Sequence, residues 1–206
     1  MSHVVLLPVK PPAWGKSRLL GLGEHDRRAL AEAFALDTLA ACLAARSVDA
    51  VLVVTDDAQL AGRVTSLGAS AIPDGTTWGM NEALRLAAAD AHRRWPERRP
   101  VALCADLPAL HPDDLDAALA DLPAIPAFVA DAAGTGTSLY TAVTEEFAPE
   151  FGPDSRLAHR DAGAHEIPGD LSSLRRDVDD EADLRQAIAL GLGPATRAVI
   201  ETISFR

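Results

Sequence analysis

Positive charge is scarce in this chain. Its 206 residues include 19 lysines and arginines against 30 aspartates and glutamates, which gives a net charge of −11. A nucleic-acid-binding surface needs clustered cations to bind the phosphate backbone. The composition therefore argues against a nucleic-acid partner, although a few local cations would still suffice to bind a nucleotide or a small organophosphate.

Cysteines and long apolar runs are also scarce. Cys42 and Cys104 are too few for a disulfide framework and lie in apolar segments, which predicts reduced, buried thiols. No apolar run approaches the roughly 18 residues of a membrane-spanning helix, and no signal peptide precedes the first predicted strand. We therefore expect a cytoplasmic protein without a membrane partner.

Apolar periodicity predicts alternating strands and helices over the first 121 residues. The predicted strands are 3–9, 49–55, 69–72 and 100–105, and the predicted helices are 24–46, 57–67 and 80–95. Strands separated by helices of this length imply right-handed crossovers and a mostly parallel sheet covered on both faces. This half of the chain is predicted to be a Rossmann-like α/β unit.

The pattern becomes irregular after Asp121, where prolines interrupt short segments. Strands are predicted at 127–131, 138–143 and 174–178, and a helix at 180–190. The segment 151–156 is typical of the start of a helix. Because no repeat or low-complexity linker divides the chain, we expect a single domain over residues 1–206.

The loop after the first predicted strand contains Gly15-Lys16-Ser17, which is where a P-loop would lie. The P-loop pattern needs a glycine at the position of Lys10, which two prolines follow instead. The chain has only two lysines, and both lie in this loop at the edge of the sheet where ligands bind. Lysine is a compact charge suited to a phosphate, so Lys10 and Lys16 are predicted phosphate ligands. Solvated surface lysines are the ordinary alternative.

Two carboxylates are candidate magnesium ligands. Asp106 ends the fourth predicted strand, and Asp177 begins the acidic cluster 177–180. Mg²⁺ in proteins is commonly held by one or two carboxylates and by substrate phosphates. Asp106 could instead cap a turn, and Asp179 or Asp180 could cap the following helix. No histidine shows metal-ligand spacing, and we assign none a catalytic role.

Five segments then point together to one family. In order along the chain they read PVKPPAWGKSRL (8–19), ADLPAL (105–110), GTGTSL (134–139), FGPDSRLAH (151–159) and DVDDEADL (177–184). Each is weak alone, but five in order make chance agreement unexpected. The chain resembles, over essentially its whole length, the guanylyltransferase family of deazaflavin coenzyme F-420 biosynthesis.

The resemblance implies a fold and a reaction. The fold would be α/β, a Rossmann-like mixed sheet flanked by helices, of the nucleotide-diphospho-sugar transferase type. The family transfers GMP from GTP to a phosphorylated three-carbon acid with release of pyrophosphate, using Mg²⁺. The acid is phosphoenolpyruvate or 2-phospho-L-lactate, and the alanine- and arginine-rich composition favours phosphoenolpyruvate.

The resemblance also implies roles for individual residues. Asp106 and Asp177 would hold the metal, with Asp106 and Lys16 catalytic. The acceptor would contact Thr137, Gly152 and Ser155. The nucleotide would contact Lys10, Lys16 and Ser17, and we add Asn81 with the loop that carries Asp74 and Gly79 as candidates for the guanine side. Residues 1–121 would then be the nucleotide-binding half, and residues 122–206 the acceptor and second-metal half.

Two other readings of the sequence stay open. The first is a nucleotidyltransferase of the same fold that acts on another phosphorylated acceptor, such as a molybdopterin or a sugar phosphate. The second is a nucleotide-binding regulatory module without turnover. A homodimer through the irregular second half is also left open, since no residue argues for or against it.

Overall fold

A single seven-stranded sheet forms the centre of the computed structural model, which describes residues 2–9 and 22–203. The strands are β1 (His3–Pro8), β2 (Val48–Val54), β3 (Ser70–Ile72), β4 (Arg99–Leu103), β5 (Ala127–Ala130), β6 (Thr137–Thr141) and β7 (His165–Glu166). Their order across the sheet is β3-β2-β1-β4-β6-β5-β7. Among these strands only β6 runs antiparallel to its neighbours. The carboxyl ends of the other strands therefore share one edge with the start of β6.

Helices cover both faces of this sheet. They are α1 (Glu24–Ala44), α2 (Ala58–Ser66), α3 (Met80–Arg94), α4 (Pro112–Ala120), α5 (Ser155–Asp161), α6 (Ser172–Arg175), α7 (Glu181–Leu190) and α8 (Pro194–Thr202). A hydrophobic core lies on each face of the sheet, and alternate residues of β1 contribute to both. Val5 and Leu7 pack towards α1, and Val4 and Leu6 pack towards α3. Burial on both faces is the usual environment of parallel strands.

The strands and helices predicted before Asp121 are all present, with ends displaced by one or two residues. In the second half, β5, β6 and α7 are confirmed, and α5 begins within the segment predicted to start a helix. No element is predicted from the sequence at α4, at α8 or at the two-residue strand β7. Proline at the first turn of both α4 and α8 is a helix-start signal that was available in the sequence.

The strand predicted at 174–178 is wrong. Ser172–Arg175 form the short helix α6, and the residues after it are irregular. The buried apolar residues here are Leu171, Leu174 and Val178, which are three and four positions apart. Spacings of three and four are the period of a helix face rather than of a strand. The apolar residues of this segment therefore do not have the period of the predicted strand.

The two thiols differ in exposure. Cys42 is buried and free, and its burial raises the pKa of the thiol to about 12. Cys104 is only partly buried, and its thiol donates to the Thr137 carbonyl at 3.4 Å. This corrects the expectation that both thiols are buried. Within residues 2–9 and 22–203, no helix combines the length and apolar character needed to cross a bilayer.

Candidate active site

Asp106 and Asp177 lie next to each other at the carboxyl edge of the sheet. Asp106 follows β4, and its carbonyl oxygen accepts a hydrogen bond of 3.1 Å from the Val178 N–H. Both aspartates are partly buried. Asp106 and Asp177 are 71 positions apart in sequence, and this backbone contact joins the two segments that carry them.

Thr38 of α1 fixes the backbone around Asp106. This buried residue of α1 donates its hydroxyl proton to the Phe34 carbonyl at 2.8 Å, and its oxygen accepts the Leu107 N–H at 3.1 Å. The Ala105 carbonyl lies 3.3 Å from the same oxygen. Both peptide groups that flank Asp106 therefore contact one rigid side chain. A threonine within an apolar helix was the sequence signal for this contact, and it had been missed.

Asp37, the neighbour of Thr38, attaches the C-terminal helix to the same loop. Its buried carboxylate accepts the Ala195 and Thr196 N–H groups of α8, at 2.9 and 2.8 Å. The Gly193 N–H in turn donates to the Pro108 carbonyl at 2.8 Å, two residues after Asp106. A Cβ atom on Gly193 would overlap the Asp37 carboxylate, so this close approach requires glycine.

The Gly134–Thr137 turn lies beside these aspartates and is held by Asp131, which follows β5. One carboxylate oxygen of Asp131 accepts the Thr135 N–H at 3.0 Å, and the other accepts the Gly136 N–H at 2.8 Å. A Cβ on Gly136 would overlap that carboxylate. The Cys104 N–H donates to the Ser138 carbonyl at 2.9 Å, which joins the turn to the chain two residues before Asp106.

The loop at 150–155 approaches the turn from the other side. The Phe151 N–H donates to the Asn81 Oδ1, and the Asn81 Nδ2 donates to the Phe151 carbonyl, both at 2.9 Å. Gly152 has a φ of 145°, which an L side chain rarely adopts. Ser155 is buried, and its N–H donates to the Gly152 carbonyl at 3.2 Å. Asn81 on α3 therefore holds this loop in place.

His159 connects the loop to the turn. Its ring is fully buried, with Nε2 2.9 Å from the Glu150 nitrogen and Nδ1 3.0 Å from the Thr137 Oγ1. Desolvation by burial lowers the pKa of the imidazole to about 4, against a smaller opposing effect of the Ser155 carbonyl. The ring is therefore neutral at neutral pH. No role is predicted for this histidine from the sequence, because the histidines show no metal-ligand or catalytic spacing.

Comparison with known proteins identifies the family of this chain. The profile of the family described as "Guanylyl transferase CofC like" matches residues 3–206. The chain belongs to this family of guanylyl transferases. The phosphoenolpyruvate guanylyltransferase of Streptomyces coelicolor is 47% identical over 203 residues, which are 97% of this chain and 96% of the relative. The protein of the same name from Streptomyces scabiei is 48% identical over 208 residues, 96% of this chain and 95% of the relative.

Solved structures show the same fold for this CofC-like chain. A Desulfovibrio desulfuricans protein, provisionally assigned as a nucleotide-diphospho-sugar transferase, matches with a TM-score of 0.64 at 21% identity, over 92% of this chain and 97% of that one. A Mycobacterium tuberculosis protein complexed with manganese matches with a TM-score of 0.55 at 20% identity, over 91% and 98%. The predicted family, the nucleotidyltransferase class and the α/β mixed-sheet fold are confirmed.

The structure of this CofC-like guanylyl transferase groups the predicted residues into two clusters. Asp106 and Asp177 form one, and the second consists of Thr137, Gly152 and Ser155, all arranged around His159. Lys10, Lys16 and Ser17 lie outside the described residues.

The acidic cluster at 177–180 divides into different roles. Asp180 is the N-cap of α7 and accepts hydrogen bonds from the Ala182 and Asp183 N–H groups. Of the two predicted cap candidates, Asp179 and Asp180, the second is therefore the cap. Asp179 is exposed, and its backbone N–H donates to the Asp183 carboxylate at 3.2 Å. Asp177 is thus the partly buried aspartate whose neighbour contacts Asp106.

The donor chemistry at these aspartates fits Mg²⁺. Among the residues that the structure describes, no group of three or more histidine, cysteine, aspartate or glutamate side chains could form a protein-only metal cage. Asp106 and Asp177 supply hard carboxylate donors, and Mg²⁺ in proteins is usually bound by one or two carboxylates together with substrate phosphates. A softer zinc-type site would need histidine or cysteine ligands.

Proposed function

We propose that this chain transfers GMP from GTP to phosphoenolpyruvate and releases pyrophosphate. The observation that carries the proposal is the Val178–Asp106 backbone hydrogen bond of 3.1 Å, which joins the segments of the two predicted metal ligands, Asp106 and Asp177, near the Gly134–Thr137 turn. Relatives named phosphoenolpyruvate guanylyltransferase that are 47% and 48% identical over nearly the whole chain support this choice of acceptor.

The acceptor is proposed to bind between the turn and the 150–155 loop. Thr137 and Ser155 offer hydroxyl groups, and Gly152 offers a backbone without a side chain in a conformation that suits glycine. Among the described residues, a Cβ on Gly152 would meet no atom within 4 Å apart from its chain neighbours, so these residues leave space beside it. A carboxylate and a phosphate both accept hydrogen bonds from such donors.

Asp106 and Asp177 would hold Mg²⁺ in the loaded enzyme. When bound there, the ion would offset the negative charge of the reacting phosphates, which otherwise repel one another. The role of the chain itself is to keep the two carboxylates in place. Thr38 and the Val178 N–H do this by fixing the backbone on either side of Asp106.

The nucleotide is proposed to bind along the same edge through Lys10, Lys16 and Ser17, with Lys16 stabilising the charge that develops during transfer. On the guanine side, Asp74 is the better-supported group. Its Oδ1 is buried and has no hydrogen-bond partner among the described residues, and a carboxylate can accept the two adjacent N–H groups of guanine. Asn81 has one amide N–H left after pairing with Phe151.

The chemistry needs no protein base. An acceptor phosphate oxygen forms a bond to the α-phosphorus of GTP, and the bond from that phosphorus to the pyrophosphate oxygen breaks. A phosphate monoester has a second pKa near 6 and is mostly dianionic at neutral pH, so the attacking oxygen carries no proton to be removed. The neutral, buried His159 is consistent with this, because its ring already contacts Thr137 and Glu150.

We further propose that residues 1–206 act as one cytoplasmic domain. Residues 1–121 would supply the nucleotide site and Asp106, and residues 122–206 the acceptor site and Asp177. The sheet crosses both parts, because β4 of the first pairs with β6 of the second.

Matched carboxylate variants test the site. Asp106→Asn and Asp177→Asn should each abolish pyrophosphate release and weaken Mn²⁺ binding measured by calorimetry in the presence of GTP. Asp179→Asn tests the alternative that Asp179 replaces or joins Asp177 at the metal. Asp121→Asn changes the same charge at an exposed position at the end of α4, away from this cluster, and serves as the control. Full activity in either of the first two variants, with folding confirmed by circular dichroism, would overturn the metal assignment.

A further inference from the structure

We propose that His159 is a positioning residue that fixes the Thr137 hydroxyl as a hydrogen-bond donor to the acceptor. The inference rests on the proposed acceptor site and adds to it the direction in which one of its hydrogen bonds runs. It assigns a task to a buried histidine that the chemistry of transfer does not use.

The tautomer of His159 follows from its partners. The Glu150 N–H lies 2.9 Å from Nε2, and a backbone N–H can only donate. Nε2 must therefore be the lone-pair nitrogen, and in a neutral imidazole the proton is then on Nδ1.

The polarity of Thr137 follows in turn. Nδ1 carries a proton and lies 3.0 Å from the Thr137 Oγ1, so the threonine oxygen accepts from the ring. The hydroxyl proton is then free to point elsewhere. Among the described residues, no protein group accepts a hydrogen bond from this hydroxyl. An anionic acceptor molecule in the adjacent site would satisfy it.

Packing and hydrogen bonding together keep the His159 ring from turning over by 180°. Tyr140 and Phe128 stack against His159 with ring centroids 4.7 and 5.4 Å away, and Phe151 meets it edge-on at 5.8 Å. The side chain has no exposed surface. Turning the ring over would put carbon atoms where the Glu150 N–H and the Thr137 hydroxyl need nitrogen, which would leave a buried donor unpaired.

Two substitutions separate the functions of the two ring nitrogens. The amide of asparagine reaches the position of Nδ1, and the longer glutamine reaches the position of Nε2. His159→Gln should keep an acceptor for Glu150 but lose the donor to Thr137. We expect it to raise the KM for phosphoenolpyruvate by roughly tenfold to a hundredfold, as for a lost hydrogen bond to a charged group, with the KM for GTP changed little. His159→Asn should restore part of this loss.

A double-mutant cycle assigns the effect to Thr137. In a Thr137→Val background, which has no hydroxyl to orient, His159→Gln should raise the KM for phosphoenolpyruvate much less than in the wild type. The exposed His92 on α3 supplies the control, because His92→Gln makes the same change away from the site. Equal losses in both backgrounds, or an equal rise in the KM for GTP, would overturn the inference.

Nitrogen NMR of the unmodified protein tests the tautomer even if the variants fail to fold. We expect a proton-bearing Nδ1 and a lone-pair Nε2 for His159, unchanged across neutral pH, whereas a proton on Nε2 would overturn the inference. Wild-type turnover distinguishes a failure of the proposed function from a failure of the proposed role of His159. No turnover with phosphoenolpyruvate would refute the proposed function, whereas turnover without the predicted KM pattern would refute only the role of His159.

Discussion

Acid should destabilise this protein through His159. Burial lowers the pKa of its ring from 6.5 to about 4, so the folded state binds fewer protons than the unfolded state between these values. The contribution of the neutral His159 ring to the free energy of unfolding is complete above pH 6.5 and is lost as the pH falls towards 4. At 1.36 kcal/mol for each pKa unit, the full window is worth about 3 kcal/mol, of which about 2 kcal/mol is lost by pH 5.

Comparison with His159→Gln isolates this contribution, because the glutamine does not titrate and all other groups are shared. The free energy of unfolding would be measured by urea denaturation at pH 7.5 and at pH 5. The stability advantage of the wild type over the variant should shrink by about 2 kcal/mol at the lower pH. An advantage that stays constant within about 0.5 kcal/mol would refute the claim that this ring is neutral in the folded protein.

Substitutions at three further positions test the contacts around the site. Thr38→Val removes the oxygen that accepts the Leu107 N–H and should weaken Mn²⁺ binding in calorimetry severalfold, while Thr38→Ser should restore it; equal binding by both variants would contradict a positioning role. Asp37→Ala removes two hydrogen bonds to the start of α8 and should cost about 2–3 kcal/mol in urea unfolding, so an unchanged midpoint would be inconsistent with that anchor. Gly136→Ala forces a Cβ against Asp131 and should cost about 1–3 kcal/mol, measured by thermal melting, where no change would show that the turn can relax.

The regular first half of the fold could be predicted because its periodicity is strong. Strands β1, β2 and β4 are short and mostly apolar, and most of their residues are buried. The helices between them bury apolar residues against the sheet. Such segments carry their own secondary-structure signal. Their alternation also fixes the parallel pairing and the edge at which ligands bind.

The second half was harder to predict because tertiary contacts determine its elements. Strand β7 has two residues and exists because it pairs with β5. Helix α6 has four residues, and its start is held from α4, where Asp114 accepts both the Ser173 N–H and the Ser173 hydroxyl, at 2.9 and 2.6 Å. Segments this short have too little local pattern to distinguish a strand from a helix.

The candidate site divides in the same way. The residues expected to touch ligands could be named from motifs, since their chemical types are themselves the signal. The residues that hold them in place could not. Thr38 bonds to a residue 69 positions away, Asp131 to residues 4 and 5 positions away, and His159 to residues 9 and 22 positions away. Single residues of these types occur throughout the chain without such roles.

Pyrophosphate release from GTP is the most direct measurement of the proposed reaction. It would be followed with Mg²⁺ and phosphoenolpyruvate, with 2-phospho-L-lactate in parallel, and without an acceptor. The proposal predicts release that depends on the acceptor and is fastest with phosphoenolpyruvate. Faster release with 2-phospho-L-lactate would contradict the choice of acceptor. Tight GTP binding without release in any of the three reactions would contradict the transferase itself and would favour a regulatory nucleotide-binding role.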